Sequence, residues 1–158
     1  MRLARTLRFD ESDTLVFERA AEPGEWAISG AFEFSNWTEA DLTGKPRQAF
    51  ANGWLGLDSF GRATFVAVAA VTDAEIEALA DRLALRFVED YGAPSFELAR
   101  RKAEEEIAHM RELCEDQPDN ALLTVSRELV EMGVKESFRV IRPREASLSQ
   151  IAVHGGGD

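Results

Sequence analysis

The chain has 158 residues, of which 45% are apolar, and its formal net charge is −11. This length and composition predict one globular domain with a sizeable core, and they exclude both a disordered chain and one that needs disulfides or metals to fold. The negative charge argues against binding to nucleic acid or to an anionic membrane surface unless a basic patch overrides it locally.

Three further features bear on where the protein works. The N-terminal residues Met-Arg-Leu-Ala-Arg-Thr-Leu-Arg carry charge without a following apolar run, so they do not indicate a signal peptide. No apolar stretch approaches the roughly 20 residues of a membrane span. The single cysteine, Cys114, excludes an intrachain disulfide and fits a reducing compartment. We therefore expect a cytoplasmic protein.

The first 34 residues are predicted to form strands. Alternating apolar residues predict a strand over 3–9, and residues 14–34 indicate a β-hairpin. The hairpin turn falls at 22–25, where proline and then glycine suit the second and third positions of a type II turn. Gly30 indicates a bulge in the second strand.

Residues 35–52 break the strand pattern. Residues 38–41 indicate a short helical turn, and residues 45–52 indicate a helix that Gly53 ends. A short strand is predicted over 54–57, followed by a turn.

The uninterrupted apolar run 63–71 predicts a strand that is central in its sheet. Thr72 and Glu75 then have the spacing of a capping box, which predicts a helix that Gly92 ends. A second long helix is predicted over 95–116, and the short connection predicts that the two helices run antiparallel.

The C-terminal third leaves one choice open. Residues 122–130 fit either a strand or a third helix capped by Gly133, whereas 134–140 alternate as a strand does. We favour a closing hairpin with a glycine-containing loop. The domain is predicted to cover 1–144, with a C-terminal tail at 145–158.

Together these elements predict an α+β fold in two layers. An antiparallel sheet of about five or six strands would carry two long antiparallel helices on one face. The strand order does not follow from the sequence.

The charge is distributed unevenly. Residues 73–119 hold 14 acidic and six basic residues, whereas residues 127–144 hold five basic and three acidic ones. The simpler interpretation is an acidic helical layer balanced by a basic sheet rim. The alternative is that the basic segment forms a site for an acidic partner or a phosphate.

The motifs that suggest chemistry are isolated. His154 and the three glycines after it match the oxyanion-hole tetrapeptide of some esterases, but no nucleophile elbow accompanies them. Glu106 and His109 have the spacing of a di-iron ligand pair, but such sites need two of these pairs. Cys114 follows an apolar helical stripe and is interpreted as core. The sequence thus predicts no catalytic residue, metal site or cofactor.

An aromatic cluster around residues 37–65 is the most suggestive group for binding. Aromatic side chains near a loop beside a central strand can line a pocket or anchor a partner, or they can be plain core. The candidate binding residues are Trp37, Phe50, Trp54, Asp58, Phe60 and Arg62.

The segments Asp13–Phe32 and Ala51–Val66 resemble an uncharacterised family of short acidic bacterial proteins of unknown function. The resemblance implies a bacterial cytoplasmic protein. It carries over no activity and no functional residues.

From these observations we expect a non-enzymatic accessory protein that binds a partner protein or a second copy of itself. An exposed patch around Trp54 and Phe60 would support this role. The alternative is a small-molecule-binding protein or an enzyme with a pocket between the sheet and residues 35–61, in which Glu39, Asp58 or Arg62 would supply the polar groups. Because the net charge is negative, nucleic-acid binding is the least favoured of these roles.

Overall fold

The computed structural model describes residues 1–141. Its strands and helices, in chain order, are β1 Arg2–Leu7, α1 Ser12–Val16, β2 Trp26–Ile28, α2 Gly44–Asn52, β3 Trp54–Gly56, β4 Arg62–Ala63, β5 Phe65–Ala70, α3 Asp73–Tyr91, α4 Phe96–Cys114, β6 Leu122–Val130 and β7 Gly133–Ile141. Short 3-10 helices cover Ala31–Phe34 and Glu39–Asp41.

The strands form one antiparallel sheet in the order β4-β3-β2-β1-β5-β6-β7. The predicted α+β class is confirmed, but the sheet has seven strands rather than five or six. One reason is that the predicted strand 63–71 is divided at Thr64. The Thr64 hydroxyl donates a hydrogen bond of 2.7 Å to the buried carboxylate of Asp13, so β4 pairs with β3 while β5 pairs with β1 and β6.

The predicted hairpin over 14–34 is wrong. Ser12–Val16 form a short helix instead, and β2 pairs with β1 through Ala4 and Ala27. The turn at 22–25 is present, with Gly24 at φ 85°, and the amide of Thr6 donates to the carbonyl of Glu25 as the chain returns to β1.

Gly30 does not form the predicted bulge. It has φ 75° and begins the 3-10 helix Ala31–Phe34, so the strand ends before it. A Cβ atom at this position would lie 2.5 Å from the Cβ of Leu55, so glycine is required for space as well as for its dihedral angle.

The long helices follow their local signals closely. The Glu75 amide donates to the Thr72 hydroxyl at 3.1 Å and the Glu75 carboxylate accepts from the Thr72 amide at 3.0 Å, which is a capping box. Gly92 follows α3 in the left-handed conformation, at φ 70°. Ala80 of α3 and Ile107 of α4 line the same depression between the two helices.

The sheet curls, so that strands far apart in its order meet. Trp54 of β3 is fully buried, and its indole Nε1 donates to the carbonyl oxygen of Leu123 in β6 at 3.2 Å. Its ring also stacks on Phe138 of β7, with 5.8 Å between the ring centroids. Three strands separate β3 from β6 in the sheet order, so these contacts require strong curvature.

The C-terminal choice is settled as a hairpin. Strands β6 and β7 pair over nine residues each, from Leu122 opposite Ile141 to Val130 opposite Gly133. The helix alternative is therefore wrong for this segment. The predicted glycine lies just outside the loop, which has only the two residues Glu131 and Met132, because Gly133 already pairs with Val130. The predicted tail at 145–158 lies outside the described residues.

Over residues 1–141, none of the helices combines the length and the apolar character that crossing a bilayer would require.

Candidate binding groove

The site is built on two buried arginines. Arg62 of β4 donates to the carbonyl oxygens of Ser29, Gly30 and Gly53 at 3.0–3.3 Å, and to the Glu33 carboxylate at 2.6 Å. Burial lowers the Arg62 pKa to about 10, with the Glu33 carboxylate opposing the shift. The guanidinium therefore stays charged at neutral pH and fixes the segment that begins at Ser29.

The second arginine, Arg127 of β6, has no exposed side-chain surface. Its guanidinium reaches backbone carbonyl oxygens at the C-terminal end of α2 and on the segment after β2, at 2.6–3.3 Å; these belong to Ala49, Phe50, Gly53 and Ser29. A cation is favoured there because the last carbonyls of a helix carry partial negative charge. Glu136 of β7 balances it at 2.8 Å.

Phe34 lies beside both guanidiniums, whose central carbons are 4.6 Å and 5.2 Å from its ring centroid. Both arginines therefore stabilise the interior of the protein. The basic segment 127–144 accordingly does not act as one surface, since its first arginine is inside. Burial also lowers the pKa of Arg127, against the opposing effect of Glu136.

Glu33 connects this buried cluster to the surface. One carboxylate oxygen accepts from Arg62 at 2.6 Å and the other accepts from the Tyr91 hydroxyl at 2.9 Å. Burial, and then the negative charge of Glu33, raise the Tyr91 pKa, so the phenol stays protonated. The Glu33 side chain remains 28% exposed and lines an open groove.

The groove has a volume of about 620 Å³. It lies between residues 31–37 and the connection from α3 to α4. Its apolar surface comes from Phe32, Trp37, Phe87, Tyr91, Pro94 and Leu98, and its charged groups are Glu33 and Lys102. We call this feature the aromatic groove.

The aromatic side chains of the groove support one another. The Phe32 ring meets Phe87 and Tyr91 edge to face, at centroid distances of 5.0 and 5.4 Å. Trp37 stacks on the buried ring of Phe50 at 6.2 Å and meets Phe34 edge to face at 4.8 Å. Packed rings of this kind give the groove a preformed shape.

The charged groups of the aromatic groove already have partners. Glu33 is held by Arg62 and Tyr91, while the Lys102 ammonium lies 3.3 Å from the Glu106 carboxylate and 3.9 Å from that of Glu105. Each of the two charged side chains therefore has a partner of opposite charge within the protein.

Four of the six candidate residues from the sequence belong to this region. Trp37 lines the aromatic groove, Phe50 supports Trp37 from beneath, and Arg62 holds Glu33. Phe60 lies 6.4 Å from the Tyr91 ring, and with Trp37 and Arg62 it lines a smaller neighbouring depression of about 200 Å³.

The other two candidates lie elsewhere. Trp54 is inside the curled sheet, so no exposed patch joins it to Phe60. Asp58 is exposed and forms an ion pair with Arg82 of α3. Glu39, considered as a polar group for a pocket, is exposed in its 3-10 helix and lies outside the aromatic groove.

The residues predicted from the sequence do not include Glu33, Phe32, Tyr91 or Leu98. Glu33 stood between two phenylalanines and looked like the outward position of a strand. Tyr91 carried a signal, because it is the chain's single tyrosine and directly precedes the glycine that ends α3. Nothing in the spacing pointed to its pairing with a residue 58 positions earlier.

The remaining motifs have structural explanations where the structure describes them. Glu106 pairs with Lys102, and His109 is exposed with its ring 5.7 Å from that of Phe138. Cys114 is buried, which raises its pKa to about 12. Residues 1–141 contain no cluster of histidine, cysteine, aspartate or glutamate arranged to hold a metal ion. The glycine-rich sequence at His154 lies outside the described residues.

Fold and site together define an α+β protein with a curled antiparallel sheet, a buried arginine pair and an aromatic groove. The chain belongs to DUF6505, a family of unknown function whose profile matches residues 1–158. The resemblance to an uncharacterised family is thereby confirmed. No curated protein and no solved structure matched the chain.

Proposed function

We propose that this protein is a non-enzymatic accessory protein of the bacterial cytoplasm. It binds a partner protein by holding one of the partner's side chains in the aromatic groove, through the apolar part of that side chain. The observation that carries the proposal is the groove itself. Its volume lies within the range of about 300–1,000 Å³ that is usual for binding sites, and its walls are mainly aromatic. Aromatic residues in preformed pockets dominate the energetics of protein interfaces.

The rim supports a protein partner over a small molecule. Leu98, at the rim of the groove, is 50% exposed. The groove is open to solvent along this side, so a ligand held there would stay partly uncovered unless it belonged to a larger surface. A partner protein would cover both the ligand side chain and this apolar rim.

The pairing of charges also supports binding rather than catalysis. A general base takes a proton from a reacting group, and a nucleophile has to be activated by a neighbouring base or a lowered pKa. In the groove the Glu33 carboxylate is held by a guanidinium and a phenol, and the raised pKa of Tyr91 keeps that phenol protonated.

A small-molecule site is the second candidate. The smaller depression lies between β4 and residues 33–49, and Phe60 and Arg62 line it. Its volume of about 200 Å³ is below the usual range for ligand pockets, so the aromatic groove is favoured.

The experiment compares two exposed leucines on the long helices. The tagged protein is purified from its own host with bound partners, which are identified and quantified by mass spectrometry. Leu98→Arg should reduce the captured partner at least about tenfold, because the charge enters the rim of the groove. Leu85→Arg is the matched control, since Leu85 is 49% exposed on α3 and lies outside the groove.

The purified partner is then titrated against each variant by calorimetry, and thermal unfolding verifies that both variants stay folded. Equal affinity for the two arginine variants would contradict the proposal. A small molecule released from the wild-type protein on denaturation in native mass spectrometry would favour the second candidate instead.

A further inference from the structure

We infer that the aromatic groove selects a cationic side chain, an arginine or a lysine, presented by a basic segment of the partner. This inference rests on the proposed function and specifies the chemistry of the ligand. It follows from the groove's combination of aromatic walls with a single partly exposed carboxylate, that of Glu33.

The shape of the groove suits an amphipathic side chain. Phe32, Phe87 and Leu98 offer apolar surface along which the methylene stem of an arginine or lysine can lie. Rings such as that of Trp37 also attract a cation placed over their faces, within about 6 Å of the ring centroid. A purely apolar ligand would use the same walls but would leave the carboxylate without a new partner.

Glu33 has acceptor capacity left. An ionised carboxylate offers about four acceptor positions. Arg62 occupies one on the first oxygen and Tyr91 occupies one on the second. A charge-assisted hydrogen bond from a ligand guanidinium or ammonium can therefore be added without breaking either contact.

Neither Arg62 nor Lys102, the two cations near the groove, occupies the position proposed for the cationic ligand. The Arg62 side chain is 7% exposed, so its charge holds the carboxylate from the interior and is not presented to the ligand. The Lys102 ammonium is directed to Glu105 and Glu106 on its own helix.

The charge of the whole protein favours a basic partner. The net charge is −11, and the segment 73–119, which contributes the helical side of the groove, holds 14 acidic against six basic residues. Such a field raises the rate at which basic segments arrive and repels acidic ones.

The test uses four small probes that separate charge from shape: the N-acetyl amides of arginine, lysine, citrulline and norleucine. Binding is followed by the NMR shift of the Trp37 indole N–H, assigned with Trp37→Phe. Arginine or lysine should bind about tenfold more tightly than citrulline and norleucine, because each forms a charge-assisted hydrogen bond. Added salt should reduce this difference.

Glu33→Gln should abolish the preference for the cationic probes, whereas Glu39→Gln, which removes an exposed carboxylate outside the groove, should preserve it. Because Glu33→Gln also removes the partner of Arg62, its folding is verified by denaturant unfolding. Tyr91→Phe provides a second variant: it leaves the carboxylate and the Arg62 contact in place and frees one acceptor position, so the cationic preference should persist.

The outcomes separate the two proposals. Equal binding of norleucine and lysine would overturn the cationic selection while leaving the groove as an apolar site. Failure of all four probes to shift the Trp37 signal at millimolar concentration would also overturn it. The proposed function fails separately, if the Leu98→Arg and Leu85→Arg variants capture the partner equally.

Discussion

The buried arginine cluster and the aromatic groove lie on opposite sides of Glu33, and both combine charge with aromatic rings. In the cluster, Arg62 and Arg127 are fixed by backbone carbonyls and carboxylates, and their side chains are almost entirely buried. In the groove, aromatic surface stays open and one carboxylate is partly exposed. Buried charge therefore fixes the backbone that frames the site, whereas the aromatic groove provides the binding surface.

Two neighbouring phenylalanines show how one turn serves both regions. Phe34 is buried beside the two guanidiniums, whereas Phe32 is partly exposed in the groove and packs on Phe87 and Tyr91. Glu33 stands between them and contacts both regions. The 3-10 helix Ala31–Phe34 is therefore the element that joins frame and surface.

The largest expected effect comes from removing the deeper arginine. Arg127→Met should lower the free energy of unfolding by about 3–5 kcal/mol, because it leaves Glu136 uncompensated and several buried carbonyls without a donor. Denaturant unfolding measures the change. Arg139→Met, on the exposed face of β7, should stay within about 0.5 kcal/mol of wild type. A loss of stability below about 1 kcal/mol for Arg127→Met would show that the arginine cluster does not hold the site in place.

The two phenylalanines give the next effect and the most direct comparison. Phe34→Ala should cost about 3–5 kcal/mol of stability, as expected for a buried phenylalanine. Phe32→Ala should cost about 1–2 kcal/mol, because its ring is partly exposed, yet it should weaken partner binding more strongly. Chemical unfolding and calorimetric titration of both variants test this. Equal stability losses would show that the division between frame and surface is wrong.

Elements with a local cause could be predicted from the sequence. The capping box at Thr72 and Glu75, the end of α3 at Gly92 and the proline-glycine turn before β2 all depend on residues a few positions apart. The apolar run at 63–71 likewise indicated an interior strand, and β5 lies between β1 and β6. Each of these features is determined by residues close to it in the sequence.

Features with a distant cause could not be predicted. Residues 14–16 fall in the predicted hairpin, but the structure has the short helix Ser12–Val16 there, with the Asp13 carboxylate bound to Thr64, 51 positions away. Arg127 looked like part of a basic rim because its partners come from other segments, with Ser29 lying 98 positions earlier. For the candidate site, Trp37 and Arg62 were among the residues predicted from the sequence, whereas Glu33 and Tyr91 are paired only through the fold.

The smallest effect is a titration that reports the contact between Glu33 and Tyr91. Tyr91 is the chain's single tyrosine, so the ultraviolet absorbance of phenolate measures this group alone. Its pKa is raised by burial and by Glu33, so the folded protein should form phenolate above the value of about 10 found in the unfolded chain.

The sign of the effect on stability follows from this shift. Above a pH of about 10 the unfolded chain loses the phenol proton while the folded chain retains it. The stabilisation is therefore complete below the unfolded pKa and is lost as the pH rises through the folded one. Since Tyr91 is partly exposed, the effect should be small, and Glu33→Gln should bring the folded titration nearer to 10. A wild-type midpoint equal to that of the unfolded chain would show that Tyr91 does not donate to Glu33 in solution, and the groove would then lose the contact that orients its carboxylate.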